Sequence, residues 1–292
     1  MSGKINSWIE ATRLRTIPVS IAGVLTSIGY AVYDNRFYWL PAVLCLLFAV
    51  LAQVASNFAN EYYDFKRGFD KVGREGPRRS VTEGDISPKA MKTATFVTLG
   101  VACLVGLSLT YWGGLWLIAV GVLIALGVLA YSTGPYPLSH HCLGEVAVIV
   151  FFGITPVNLT YYIQTGCWSS DVMMASIAIG LMGANVIIVN NYRDIEDDRA
   201  VGKKTLTVVT GLKFSRLLYL VNGLAAIALV GQIWLTCRRI WLIIPIIYIA
   251  GHIALFIKIS HLKGRALNKM LGMTAMLMFF YSLGFLMMCL SD

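Results

Sequence analysis

Nine stretches of predominantly apolar residues follow one another along the chain, near positions 17–33, 38–60, 91–112, 114–131, 145–163, 172–191, 216–236, 240–258 and 269–289. Each is close to the roughly 20 residues with which an α-helix crosses a bilayer. Hydrocarbon offers no water to backbone N–H and C=O groups, and a helix satisfies them within itself. The expected fold is therefore all-α: a polytopic membrane helix bundle with about nine transmembrane helices. Composition agrees, with 57% hydrophobic and 13% charged residues against about 25% charged in soluble domains, and a mean hydropathy of +0.70. No Pro/Ser-rich linker interrupts the chain, so residues 1–292 read as one integral-membrane domain. Glu10 and the lack of a small-residue cleavage site after an apolar core argue against a removable signal peptide.

The basic residues test the helix count independently. With the N-terminus cytoplasmic, the inner side carries Lys4, Arg13 and Arg15, the loop residues from Lys66 to Lys92, those from Arg193 to Arg216, and Lys258, Lys263, Arg265 and Lys269. The outer side keeps Arg36, Arg238 and Arg239. That split of 21 to 3 accounts for all 24 Lys and Arg and is the asymmetry expected of cytoplasmic loops. The net charge of +9 is thus topological, and with no RNA- or DNA-binding motif a nucleic-acid partner is excluded. The six cysteines show no paired spacing, and the four histidines no metal-ligand spacing. Neither set is assigned a role.

Two polar clusters stand out against this background: NEYYDFKRGFD at Asn60–Asp70 and NNYRDIEDDR at Asn190–Arg199, each ending an apolar run. An unpaired Asp inside a bilayer costs about 2.5 to 3.5 kcal/mol on insertion scales, so such residues usually mark a site. Residues four apart share a helix face, which groups Asn60 with Asp64, and Asn190 with Asp194 and Asp198. Glu61 and Asp70 extend the first cluster; Glu196 and Asp197 flank the second. An all-oxygen set without His or Cys suits a hard cation, and Mg²⁺ takes a few carboxylates together with waters and phosphate oxygens. Two facing acidic clusters would repel unless Mg²⁺ ions bridged by a diphosphate lay between them. Lys66, Arg78, Arg79, Arg193 and Lys203 would neutralise the remaining phosphate charge. A diphosphate held at the membrane surface beside an apolar interior describes a polyprenyl diphosphate.

NFANEYYDFKRGFD and NNYRDIEDDRAVGKKTL resemble the two aspartate-rich motifs of the UbiA superfamily of intramembrane prenyltransferases. SWIEATRLRTIPVS at Ser7–Ser20 and YSTGPYPLSHHCLGEVAVIVFFG at Tyr131–Gly153 resemble its 1,4-dihydroxy-2-naphthoate polyprenyltransferase branch. The resemblance implies prenyl transfer to that acceptor with loss of diphosphate and CO2, in the inner membrane of a bacterial cell. It implies Mg²⁺ and diphosphate at Asn60, Asp64, Asp70, Asn190, Asp194 and Asp198. Glu61 stands where the family usually has Asp. Asp64, Asp194, Lys203 and Tyr131 are the expected catalytic groups, and Arg13, Arg15 and Tyr131 are expected to meet the acceptor. Glu145 is read as a helix N-terminal partner and Asn158 as an interhelical hydrogen-bond donor. No obligate protein partner is inferred. Another aromatic acceptor, such as 4-hydroxybenzoate or homogentisate, is the alternative within the superfamily. A transporter is the alternative outside it, disfavoured because the polar residues gather at one face rather than near the midplane.

Overall fold

The computed structural model describes residues 2–291, and all regular structure among them is helical. A short helix α1 (Ser2–Thr12) precedes α2 (Ile17–Tyr33) and α3 (Trp39–Lys66). Then come α4 (Pro88–Ser108), the single turn α5 (Thr110–Gly113) and α6 (Leu117–Ala130). The next span opens as α7 (Gly144–Val148), passes through a π-helical turn (Ile149–Ile154) and continues as α8 (Thr155–Thr165). It is followed by α9 (Ser170–Arg193), α10 (Ile195–Ala200), α11 (Leu206–Leu229), α12 (Gly231–Thr236), α13 (Ile243–His261) and α14 (Leu267–Ser291).

Among the described residues eight helical segments are long and apolar enough to cross a membrane, and a ninth apolar helix, α6, is shorter. The chain is an integral membrane protein. Elements begin where local chemistry says they should. Pro88 opens α4 behind Ser87, whose side chain accepts from the Ala90 amide. Thr205 caps α11 in the same way through Val208, so that helix starts ten residues before the expected position 216 and bends at Gly211. In the other direction α3 runs on past position 60 to Lys66, which puts Asn60 and Asp64 on its last two turns.

The spans pack without a hydrophobic gradient to drive them, so close backbone approach matters. A Cβ on Gly153 would lie 2.4 Å from the Ser176 carbonyl oxygen and 2.5 Å from the Gly180 Cα, which shows how tightly the π-helical turn is pressed on α9. That helix is the most enclosed of the eight spans, with α11, α14 and α2 around it. Asn158 donates to the Ile154 carbonyl one turn back and, as expected, also across to α9, to the Met173 sulfur at 3.8 Å. Large apolar side chains such as Leu235, Ile246, Ile247 and Phe280 are exposed, as the surface of a membrane bundle requires.

Candidate active site

Both acidic motifs arrive at one cavity of about 470 Å³, closed over by the loop between α3 and α4 and by α1. Asn60, Asp64, Asn190, Asp194, Asp198, Arg13, Arg15, Arg78, Arg79, Arg193, Lys203 and Tyr131 all line it. Arg13 reaches inward because the backbone turns left-handed there, at φ 53° and ψ 58°, between α1 and α2. That conformation costs a non-glycine residue about 1 kcal/mol.

The carboxylates are neutralised one by one. Asp64, 1% exposed, receives Lys203 Nζ at 2.9 Å and lies 3.3 Å from His140 Nε2. Asp194 takes Arg193 Nε at 2.7 Å and Arg74 Nη2 at 2.9 Å. Asp70 takes Arg74 Nη1 at 2.6 Å and lies 3.3 Å from Arg79 Nε. Burial raises the proton affinity of Asp194, but hydrogen bonds and charge from Arg193, then Arg74 and Lys203, outweigh it and hold the carboxyl below its usual range. Burial also opposes the charge on Lys203, and Asp64 and Asp198 overcome it, so the ammonium persists. For Asp70 burial wins and the carboxyl rises to about 6. Asp198 rises to about 7 through burial, Lys203 pulling the other way and Asp194 adding to the rise. No side chain among the described residues hydrogen-bonds to Asp198, which makes it the uncommitted carboxylate of the cavity. Burial, then the nearby Glu145 charge, keep the Tyr131 phenol protonated far above neutrality.

Four expected site residues are placed differently. Glu61 does not line the cavity: its Oε1 accepts from the Val81 amide at 3.0 Å, so it anchors the covering loop. One residue along a helix is a rotation of about 100°, which separates it from Asn60. The Asn60 Oδ1, the atom a metal would need, already accepts from Arg13 Nη2 at 2.6 Å and Arg79 Nη2 at 3.1 Å. Asp70 sits behind Arg74 and Arg79 rather than on the cavity wall. Lys66 is exposed; its neighbour Arg67 faces inward instead, to the Ser132 and Gly134 carbonyls and His140. Glu145, near the start of α7, accepts from Asn191 Nδ2 at 3.0 Å. Arg67, Arg74 and His140 were missed, the first two because loop residues carry no periodic signal and the last because a lone loop His has no ligand spacing.

A test follows for Glu61. Its replacement by Ala leaves a buried Val81 amide unpaired, costing about 1 to 3 kcal/mol. Thermal unfolding should occur at lower temperature while pyrophosphate binding per folded molecule is retained; lost binding at unchanged stability would restore Glu61 as a ligand.

A second cavity of about 500 Å³, walled by α3, α4, α6, α8 and the π-helical turn, shares Gln53, Ser56, Tyr131 and Phe152 with the first. Its other walls are almost wholly aliphatic and aromatic, including Leu107, Leu117, Phe151 and Ile163. A charged chamber thus adjoins an apolar channel across a four-residue collar.

The model of the UbiA prenyltransferase family matches residues 21–283. The chain belongs to that family. This UbiA-family chain is 37% identical over 216 residues to the 1,4-dihydroxy-2-naphthoate octaprenyltransferase of Haemophilus influenzae, covering 71% of this chain and 70% of that one. It is 35% identical over 240 residues to the enzyme of that name in Mycobacterium tuberculosis, covering 82% and 81%. A UbiA homolog from Archaeoglobus fulgidus, solved bound to GPP and Mg²⁺, superposes with a TM-score of 0.69 at 16% identity, over 96% of this chain and 99% of that one. That likeness is one of fold.

The donor set suits Mg²⁺. Among the described residues no three His, Cys, Asp or Glu side chains are gathered closely enough to hold a metal by themselves. A cation that takes one or two carboxylates and completes its shell with waters and phosphate oxygens needs no such cage. Asp64, Asp194 and the uncommitted Asp198 are carboxylates on the wall, together with Glu10, which lies 3.6 Å from the exposed Arg78 guanidinium.

Proposed function

We propose that this chain transfers a polyprenyl group from polyprenyl diphosphate to 1,4-dihydroxy-2-naphthoate, releasing diphosphate and CO2 and giving demethylmenaquinol for menaquinone biosynthesis. The observation that carries this is the collar: a chamber with the charges for a diphosphate shares four wall residues with an apolar cavity suited to an isoprenoid tail. The naphthoate-specific names of the relatives supply the acceptor. The reading places the protein in a bacterial inner membrane, with the N-terminus and the site loops cytoplasmic, supported by the partition of Lys and Arg.

In this reading Asp64, Asp194 and Asp198 would hold Mg²⁺, whose charge would stabilise diphosphate as a leaving group. Lys203, Arg79 and Arg193 donate to the diphosphate oxygens and keep the leaving group in the chamber. The rings of Tyr131 and Phe152 stand at the collar, where their faces favour positive charge on the allylic carbon. The apolar channel excludes water, so the ring of the acceptor rather than a hydroxide captures the carbon. The Tyr131 phenol, held protonated, orients an acceptor oxygen.

Purified protein supplied with Mg²⁺, naphthoate and prenyl diphosphates of several lengths should give prenylated, decarboxylated naphthoquinols by mass spectrometry. EDTA should abolish them and Mg²⁺ restore them; full activity in chelator refutes the reading.

Asp198 adds a pH signature. Its carboxyl keeps a proton up to about 7, so below that pH metal entry must displace one. Apparent Mg²⁺ affinity should then rise by about tenfold per pH unit and level off above 7, and Asp198→Asn should flatten the slope. Stability of the metal-free protein has the opposite sign. Between the usual carboxylate range and 7 the unfolded chain has lost a proton that the folded one keeps, so the contribution of Asp198 falls as pH rises. A titration that is flat in the parent protein would remove Asp198 from the metal site.

A further inference from the structure

Arg74 lies outside the second acidic motif and four residues beyond the last Asp of the first, yet it joins the two. Its Nη1 donates to Asp70 Oδ1 at 2.6 Å and its Nη2 to Asp194 Oδ2 at 2.9 Å, an oxygen it shares with Arg193, whose Nε and Nη2 each donate to Asp194 at 2.7 Å. Both carboxylates have side chains only 2% exposed, so water does little to offset their charge. Arg74 itself lines the charged chamber. The loop around it is moored elsewhere. The Glu75 amide donates to Asp197 Oδ2 at 3.2 Å, and the Glu75 carbonyl accepts from Asn268 Nδ2 at 3.1 Å. The Glu75 carboxylate accepts from the Arg265 amide at 2.9 Å, and the Arg265 guanidinium donates to the Gly73 carbonyl at 3.2 Å. With the backbone on either side fixed to α10, to the turn Gly264–Ala266 and to the start of α14, the Arg74 side chain is held in the chamber by its two carboxylates.

We propose that Arg74 is an exchangeable counter-ion of the two acidic motifs: without metal it neutralises Asp70 and Asp194, and on loading it yields Asp194 and donates to the diphosphate. This rests on the Mg²⁺ and diphosphate reading above. A guanidinium and a divalent cation compete for the same carboxylate oxygens, and a buried carboxylate needs one or the other. The fork of N–H donors that fits a carboxylate fits a phosphate equally well. Each buried charge therefore keeps a partner in both states. Arg74 opposes the metal when it comes alone and favours the diphosphate when both come, so it raises the coupling between the two ligands, and that coupling is reciprocal. A purely structural arginine would weaken both when removed.

The test uses the full chain in lipid nanodiscs, with Mn²⁺ as a paramagnetic probe titrated alone and with inorganic pyrophosphate. Arg74→Gln should bind Mn²⁺ alone roughly tenfold more tightly than the parent, and should gain far less affinity from pyrophosphate. Arg74→Lys, whose single ammonium cannot bridge both carboxylates, should fall between them. Turnover of Arg74→Gln should drop in spite of its tighter metal. If Arg74→Gln binds Mn²⁺ no better than the parent, while pyrophosphate still recruits Mn²⁺ to the parent, the exchange is overturned and the metal reading stands. If Mn²⁺ fails to bind the parent even with pyrophosphate, both fall. Should Arg74→Gln not fold, Arg74→Lys decides: tighter Mn²⁺ binding supports the exchange, and equal or weaker binding overturns it.

Discussion

Substituting Asp64 with Asn should lower turnover by about 10³-fold, the scale seen when one preorganised electrostatic group is lost from a water-excluded site. Asp64 is where the first motif meets the rest of the chamber: it binds Lys203, lies against His140 and accepts from Asn60 Nδ2 at 3.2 Å. Asn keeps the shape and an oxygen for Asn60 but loses the charge that a metal and Lys203 both need. The fold should suffer as well. The Lys203 side chain is 12% exposed, and stripping a buried cation of its partner costs about 3 to 5 kcal/mol. Asp198 softens that loss only where it is ionised, above about pH 7. The double variant Asp64→Asn, Lys203→Met should therefore recover part of the lost thermal stability while remaining inactive. Turnover and thermal unfolding of the two variants separate the roles: an Asp64→Asn protein that keeps more than about a tenth of parental activity would take Asp64 out of the reaction.

The spans themselves were legible because a bilayer leaves hydrophobic length as almost the sole constraint on a helix crossing it. Position 17 to 33 coincides with α2, and the 172–191 run lies inside α9. What hydropathy missed is amphipathic or irregular. Helix α1 has only 11 residues, and it is fixed by packing, with Trp8 edge-on to Phe58 at 5.7 Å. The π-helical turn at Ile149–Ile154 shifts its register within a run that stays apolar throughout, so composition does not register it. The end of α3 was placed too early because Asn60–Lys66 is polar, and polarity is not a helix stop.

The site shows the same division. Spacing by four put Asn60 with Asp64, and Asn190 with Asp194 and Asp198, and these five line one cavity, although the second set does not share one helix: α9 ends at Arg193 and Asp198 stands on α10. Spacing is silent about what opposes a side chain across space. Glu61 turned out to hold a loop, Asn60 to hold two arginines, and Arg74 to span both motifs. The physical reason is that buried carboxylates at this density must be neutralised even before substrate arrives, and the cations that do so come from loops whose position only the tertiary fold sets.

Carboxyl-labelled 1,4-dihydroxy-2-naphthoate should release its label as CO2 in step with diphosphate, and should be consumed roughly 10²-fold faster than 4-hydroxybenzoate, about the limit of discrimination by apolar contacts alone. Under the proposed reading Arg13 and Arg15 would supply positive charge for the carboxylate at one side of the chamber, and Tyr131, Phe152, Val148 and Ile187, which line it, would form the apolar and aromatic wall for a second fused ring. The monocyclic acid leaves that wall uncovered and gains less from it. The ring hydroxyls push electron density toward the carbon bearing the carboxylate. When the allylic carbon bonds there, the electron pair of the departing carbon–carboxyl bond returns to the ring and restores its aromaticity as CO2 leaves. A 4-hydroxybenzoate prenyltransferase instead replaces a ring hydrogen and retains the carboxyl. Widening the wall with Ile187→Ala should erode the preference through KM for the naphthoate more than through kcat. Label found in the lipid product, or faster use of the monocyclic acid, would overturn the naphthoate assignment and leave the family membership standing.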